Sequence, residues 1–196
     1  MSRTIAVTGA TGFIGGMLID HLLAAGWRVR ALARPRSARK LPELPGLETV
    51  SGSLQDDESL GRLLQGAGAV VHCAGAVRGV TADDFNSVNV DGVKRLVRAA
   101  LSRSPRPRFL SVSSLAARAP ELSHYASSKR QGEHALASMA EDMEWVALRP
   151  PAVYGPGDRE LLPLFQWMGR GIAPLPGKAD ARVSLLYVED LCTAVL

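Results

Sequence analysis

The chain has 196 residues, enough for about one domain with a substantial core, and its 46% apolar content with dispersed charges excludes a disordered segment. A net charge of +4 raises nucleic acid as a partner, but the basic stretches at 28–40 and 103–108 carry no interleaved aromatic residues to stack bases, so nucleic acid is not expected. Two cysteines, Cys73 and Cys192, cannot build a disulfide framework and lack metal-ligand spacing; they read as free thiols of a cytoplasmic protein, with no metal, no leader and no membrane span expected.

In chain order, Thr4-Ile5-Ala6-Val7 is a short apolar run of the kind that forms a buried parallel strand. Phe13, Ile14, Met17, Leu18, Leu22 and Leu23 then recur at helical spacing, and Gly26 closes the pattern. Between strand and helix stands Thr8-Gly9-Ala10-Thr11-Gly12-Phe13-Ile14-Gly15. Gly9 suits a tight turn, Gly12 a close approach to an anion, and Gly15 close packing of helix on strand. The free N–H groups of the first helical turn would face a diphosphate. The spacing is G-x-x-G-x-x-G, a variant of the G-x-G-x-x-G dinucleotide fingerprint.

Arg28-Val29-Arg30-Ala31-Leu32-Ala33 reads as a second strand ending in Arg34. At this place a carboxylate would take the ribose 2′-OH, whereas a guanidinium would pair with a 2′-phosphate. Arg34, with the basic stretch around it read as a phosphate-recognition loop, therefore favours NADP, with NAD as the other candidate.

Leu47-Glu48-Thr49-Val50 is a third strand, followed by Gly52-Ser53-Leu54 and a helix through Leu60, Leu63 and Leu64 capped by Asp56 or Asp57. Ala69-Val70-Val71-His72 is a fourth strand, running into Cys73-Ala74-Gly75, whose small side chains let a ring or ribose lie close. His72 reads as a hydrogen-bonded core residue. A long helical pattern covers residues 84–102, and Asn89 lies inside it facing the sheet. Its buried amide must be satisfied by backbone at a local distortion or by a water-supported polar site.

Phe109-Leu110-Ser111-Val112-Ser113 is a fifth strand, with Ser114 at its carboxyl end, where parallel sheets bind ligands. Tyr125-Ala126-Ser127-Ser128-Lys129 opens a helix that puts Tyr125 and Lys129 on one face. A nearby ammonium favours a phenolate, so the pair suits proton transfer to or from a carbonyl oxygen, which Ser114 could hold. Leu161, Leu162, Leu164, Phe165, Trp167 and Met168 crowd the segment 160–178, flanked by Gly169, Gly171, Pro174 and Pro176. This segment reads as a packed helix, the alternative being an apolar surface for a substrate or a further lobe.

Seven motifs in order along the chain make it similar to the extended or atypical short-chain dehydrogenase/reductase superfamily, which includes NAD(P)-dependent epimerases and dehydratases. They are residues 8–15, 72–75, 89–92, 112–114, 125–129, the Leu148-Arg149-Pro150-Pro151-Ala152-Val153-Tyr154-Gly155-Pro156-Gly157 run, and 187–190. The resemblance implies a Rossmann-like, doubly wound α/β domain over 1–196, with a substrate region beginning at about 155–180. It implies Tyr125 as acid/base, Lys129 as its partner and ribose ligand, Ser114 as carbonyl positioner and Asn89 as a relay helper.

The cofactor would be held by Gly9, Thr11, Gly12, Phe13, Ile14, Gly15, Arg34, Ser53, Leu54, Cys73, Ala74, Gly75, Tyr125, Lys129, Pro150, Pro151 and Val153. The substrate would be a small carbonyl or alcohol compound, such as a nucleotide sugar, with a homodimer left open. Ser53 stands where many relatives have an acidic residue. Only ten residues (115–124) separate Ser114 from Tyr125, implying a differently built substrate wall, and relatives continue past the position of Leu196. The competing reading is a redox-inactive dinucleotide sensor or assembly subunit, disfavoured by the presence of both Tyr125 and Lys129.

Overall fold

The computed structural model describes residues 3–173, 180 and 182–196. Six parallel strands form the main sheet: β1 (Thr4–Thr8), β2 (Arg28–Ala33), β3 (Leu47–Ser51), β4 (Ala69–His72), β5 (Arg108–Val112) and β6 (Trp145–Leu148), in the order β3-β2-β1-β4-β5-β6. The order reverses between β1 and β4, so a crevice opens at their carboxyl ends, where such sheets bind ligands.

Helices cover both faces. On one, α3 (Asp57–Leu63), α5 (Asp91–Leu101) and α6 (His124–Met139) bury Leu60, Leu63, Leu96, Val97 and Leu136 against Ala6, Val70 and Phe109. On the other, α1 (Phe13–Ala24) and α8 (Val188–Val195) bury Leu18, Ile19, Leu22, Val188 and Cys192 against Val7, Val29 and Val71. Alternate residues of β1 and β4 feed opposite cores, which is why these two central strands read as nearly continuous apolar runs.

Two elements depart from the sequence expectations. The long helix expected over 84–102 is two helices, α4 (Ala82–Asn89) and α5, broken at Val90 (φ −112°, ψ −61°). The break has a steric partner: the carbonyl of Asn89 lies so close to Gly132 of α6 that any Cβ there would collide with it. Residues Leu162–Met168 do form a helix, α7, but it buries none of its residues, contrary to the packing expected; Leu162, Trp167 and Met168 are about half exposed. Pro174, Pro176 and Lys178 of the same expectation lie outside the described residues. The short helix α2 (Pro35–Ala38) follows β2. Two three-residue strands, β7 (Ala152–Tyr154) and β8 (Leu185–Tyr187), pair in parallel apart from the main sheet.

Candidate active site

The turn after β1 is shaped by backbone sterics. Gly9 adopts φ +72°, and a Cβ at that position would lie 2.5 Å from the Ala74 nitrogen. Its carbonyl accepts from the Gly12 N–H at 2.9 Å. A Cβ on Gly15 would strike the same carbonyl, so α1 can start this close to the turn only with glycine there. Gly12 is the N-cap of α1, with no side-chain cap and no acidic residue in the first turn, leaving N–H donors and the positive end of the helix dipole facing outward.

These donors open on a cleft of about 550 Å³ at the carboxyl ends of β1, β2 and β4. Gly9, Thr11, Gly12, Arg34, Ser53, Leu54, Cys73, Ala74 and Gly75 all line it, as do Ser37, Lys40, Gln55 and Ala76. Among the described residues no carboxylate lines this cleft, whereas Arg34 and Lys40 do. The cradle without side chains, the uncapped helix start and the cationic far end together fit an elongated molecule carrying phosphates.

The basic stretch divides, however, in a way the sequence does not announce. Arg30 turns away from the cleft, bonding Glu48 at 2.6 Å and the Gln65 carbonyl at 2.7 Å. The second basic stretch is likewise tied down: Arg103 donates to the Gly61 carbonyl, and Arg108 pairs with Glu144 at 2.6 Å. Leu54 serves both the cleft and the core, while the backbone N–H of Ser53 is held by the Ser59 hydroxyl at 3.2 Å.

At Gly75 the cleft meets a second group of residues. A Cβ there would lie 3.1 Å from Lys129 Nζ and 3.3 Å from Asn89 Oδ1. Lys129 Nζ donates to the Val112 carbonyl at 3.0 Å, anchoring α6 to the end of β5. Loss of solvation lowers the Lys129 pKa to about 8, with Cys73 and Glu133 pulling the other way. Burial pushes the Cys73 thiol up to about 12, so at neutral pH it carries no charge and Glu133 is the counter-charge that persists.

The Asn89 side chain reaches beyond its own helix. Its Oδ1 accepts from the Ala76 N–H at 2.9 Å, and its Nδ2 donates to the Ala76 carbonyl at 3.0 Å and to the Ser128 hydroxyl at 2.9 Å. The amide thus clamps the loop after β4 to α6. His72 is a core residue, as expected: Nδ1 lies 2.7 Å from Thr8 Oγ1, and burial, assisted by Lys129, lowers its pKa to about 3. Its Nε2 has no hydrogen-bond partner among the described residues.

Ser114 caps a short 3₁₀ turn, its Oγ accepting from the Ala116 N–H at 3.2 Å, and its hydroxyl donates to no partner among the described residues. Tyr125 lies in the first turn of α6, capped by Ser123, with its ring edge-on to Phe85 at 6.1 Å. The phenol has no hydrogen-bond partner among the described residues. The Pro150 carbonyl accepts from the Leu115 N–H at 2.8 Å, drawing residues 150–151 against the Ser114 turn. Phe13, Ile14 and Val153, each partly buried, pack against the α1/α8 core.

A cluster that the sequence reading missed lies behind this site. Glu133, buried on α6, accepts from the Ser113 hydroxyl and, through both oxygens, from the Arg149 guanidinium. Burial alone would raise its pKa, but the bonds from Arg149 and Ser113 and the charges of Arg149 and Arg130 outweigh it and hold the carboxyl below its ordinary value. The available signal was a lone carboxylate one turn after Lys129, on a face otherwise made of Ser128, Gly132 and Leu136.

Over 187 residues the chain is 43% identical to a ceramide reductase of Caulobacter vibrioides, covering 95% of this chain and 57% of that protein. It is 29% identical to a 2-alkyl-3-oxoalkanoate reductase of Shewanella oneidensis, covering 96% and 54%. It thus spans little more than half the length of these relatives. Among solved structures, the Bordetella bronchiseptica enzyme WbmH in complex with NAD⁺ superposes with a TM-score of 0.82 at 25% identity, covering 100% of this chain and 71% of that one. The model of the NAD dependent epimerase/dehydratase family matches residues 5–196, and the chain belongs to that family.

Proposed function

We propose that this chain is the cofactor-binding part of an NADP(H)-dependent reductase that converts a ketone on an alkyl-chain lipid to the alcohol. The observation that carries the reading is the placement of Tyr125 and Lys129 on one face of α6, with Lys129 bonded to the end of β5 and adjoining the carboxylate-free cleft at Gly75. Two of the named relatives, a ceramide reductase and a 2-alkyl-3-oxoalkanoate reductase, favour a lipid carbonyl over a nucleotide sugar. Exposed Leu162, Phe165, Trp167 and Met168 on α7 offer apolar surface for an alkyl chain in the substrate region that begins at about 155–180.

A nicotinamide dinucleotide held in the cleft would supply the hydride that reduces the carbonyl carbon. Tyr125 gives its hydroxyl proton to the carbonyl oxygen, so carbon and oxygen each gain one hydrogen and the ketone becomes an alcohol. The Ser114 hydroxyl, free to donate, holds that oxygen in line. Lys129, with a pKa of about 8, stabilises the phenolate and returns a proton to it near neutral pH. Asn89 keeps the loop after β4 against α6, fixing Gly75 beside Lys129. Gly9, Thr11, Gly12 and the first turn of α1 would hold the diphosphate, Cys73, Ala74 and Gly75 the nicotinamide ribose, and Pro150 and Pro151 would adjoin the nicotinamide. Arg34, which makes no ion pair among the described residues, and Lys40 would hold the 2′-phosphate.

The test is Tyr125→Phe, assayed with NADPH and 3-oxo lipids beside nucleotide sugars. NADPH affinity should stay within about twofold while turnover of the ketone falls by roughly 10²- to 10⁴-fold. Undiminished turnover would remove Tyr125 from the reaction, and turnover of nucleotide sugars alone would remove the lipid.

A further inference from the structure

Glu133 is 8% exposed, and the Ser113 hydroxyl and the Arg149 guanidinium both donate to its carboxylate. On energy alone such an arrangement contributes little, since Glu133 is buried but the Arg149 side chain is about one-third accessible and a solvent-screened pair of this kind is weak. What it supplies instead is direction. The planar guanidinium of Arg149 engages both oxygens, Nε at 2.8 Å from Oε1 with Nη2 on Oε2, and a fork of this kind fixes angle as well as distance.

The residues that it fixes adjoin the proposed nicotinamide end of the site. Ser113 immediately precedes Ser114, and Arg149 immediately precedes Pro150 and Pro151. The backbone already joins these two segments, Ser113 N–H to the Leu148 carbonyl at 2.7 Å and Leu115 N–H to the Pro150 carbonyl at 2.8 Å. Glu133 adds the third side of the triangle, because it stands on α6, the helix that carries Tyr125 and Lys129.

We propose that Glu133 is a positioning residue: its carboxylate sets the end of β5, the Pro150–Pro151 wall and the Tyr125/Lys129 face of α6 in mutual register, and so shapes the nicotinamide half of the cleft. The assignment rests on the dinucleotide reading above. The diphosphate turn and the Arg34 end are built from other elements, so Glu133 acts on one half of the ligand and leaves the other alone.

The experiment compares two probes by calorimetric titration: NADPH, and 2′-phospho-ADP-ribose, which has the same adenosine and diphosphate but no nicotinamide. In Glu133→Gln, which keeps shape but removes charge, NADPH should bind at least about tenfold more weakly while the fragment stays within about twofold. Arg149→Lys, which keeps the charge but loses the fork, guards against a folding defect and should show the same split. Equal weakening of both probes, or no change in either, in the two variants would overturn the positioning role. Failure of the unaltered chain to bind either probe would instead overturn the dinucleotide reading, and the role of Glu133 with it.

Discussion

Substituting Gly9 by alanine tests the steric argument on which the glycine-rich turn after β1 rests. Two penalties combine at this position. A non-glycine residue at φ +72° incurs about 1–2 kcal/mol of left-handed strain. The new methyl also lies 2.5 Å from the Ala74 nitrogen and 2.6 Å from the Cys73 carbonyl carbon, backbone atoms that cannot swing aside, and overpacking of this kind costs about 1–3 kcal/mol more. Gly66→Ala is the matched control: φ is +70°, but a Cβ there meets nothing within 4 Å, so only the strain remains. The difference between the variants isolates the close approach of the β1 turn to the loop after β4, and it should be about 1–3 kcal/mol. In a chain of this size that is a melting-temperature gap of roughly 2–12 °C, measurable by calorimetry or circular dichroism. Equal destabilisation of the two variants would refute the claim that Gly9 is needed for contact rather than for φ alone.

Lys129 gives a pH signature. Its pKa in the folded chain, about 8, lies below the ordinary 10.5, so between those values the unfolded chain binds more protons and the native state gains stability as pH rises. The unfolding free energy of the wild type minus that of Lys129→Met should therefore climb across this window, by about 1–3 kcal/mol in urea titrations, and a flat difference would contradict the desolvated ammonium. Replacing Arg34 by serine should lower the NADPH-to-NADH affinity ratio by at least about tenfold; an unchanged ratio would place the 2′-phosphate elsewhere. The thiols of Cys73 and Cys192, pushed up to about 12 and about 11 by burial, should react with an aromatic disulfide reagent at pH 8 only as the protein unfolds; rapid labelling of the native chain would contradict this. Leu96→Ala, at a fully buried position of α5, should cost about 2–5 kcal/mol by urea unfolding, and a loss below 1 kcal/mol would mean that the core collapses to fill the space.

What the sequence disclosed was whatever is written locally. The strand and helix on either side of the glycine-rich turn, the turn itself and the helix carrying Tyr125 and Lys129 follow from runs and spacings a few residues long. The break at Val90 was hidden because Phe85, Val88, Val93 and Leu96 keep one apolar face across it, and its steric partner, Gly132, lies far along the chain. Glu133 escaped for the same reason, since Ser113 and Arg149 are 20 and 16 positions away and only the fold brings them together. Charge fared unevenly. Composition could say that residues 28–40 are basic, but not that Arg30, alternating with Arg28 and Arg34, would be spent on Glu48. The three-residue strands β7 and β8 were too short to leave any periodic signal.

That small pairing carries a consequence for how such a chain can change. Ala152, Val153 and Tyr154 lie beside Leu185, Leu186 and Tyr187, so the main chain departs and returns through adjacent gates. With the gates fixed, the intervening stretch can lengthen at only about 0.6 kcal/mol per doubling. The segment between them can thus change in length and sequence while the six-stranded sheet and its helices stay as they are.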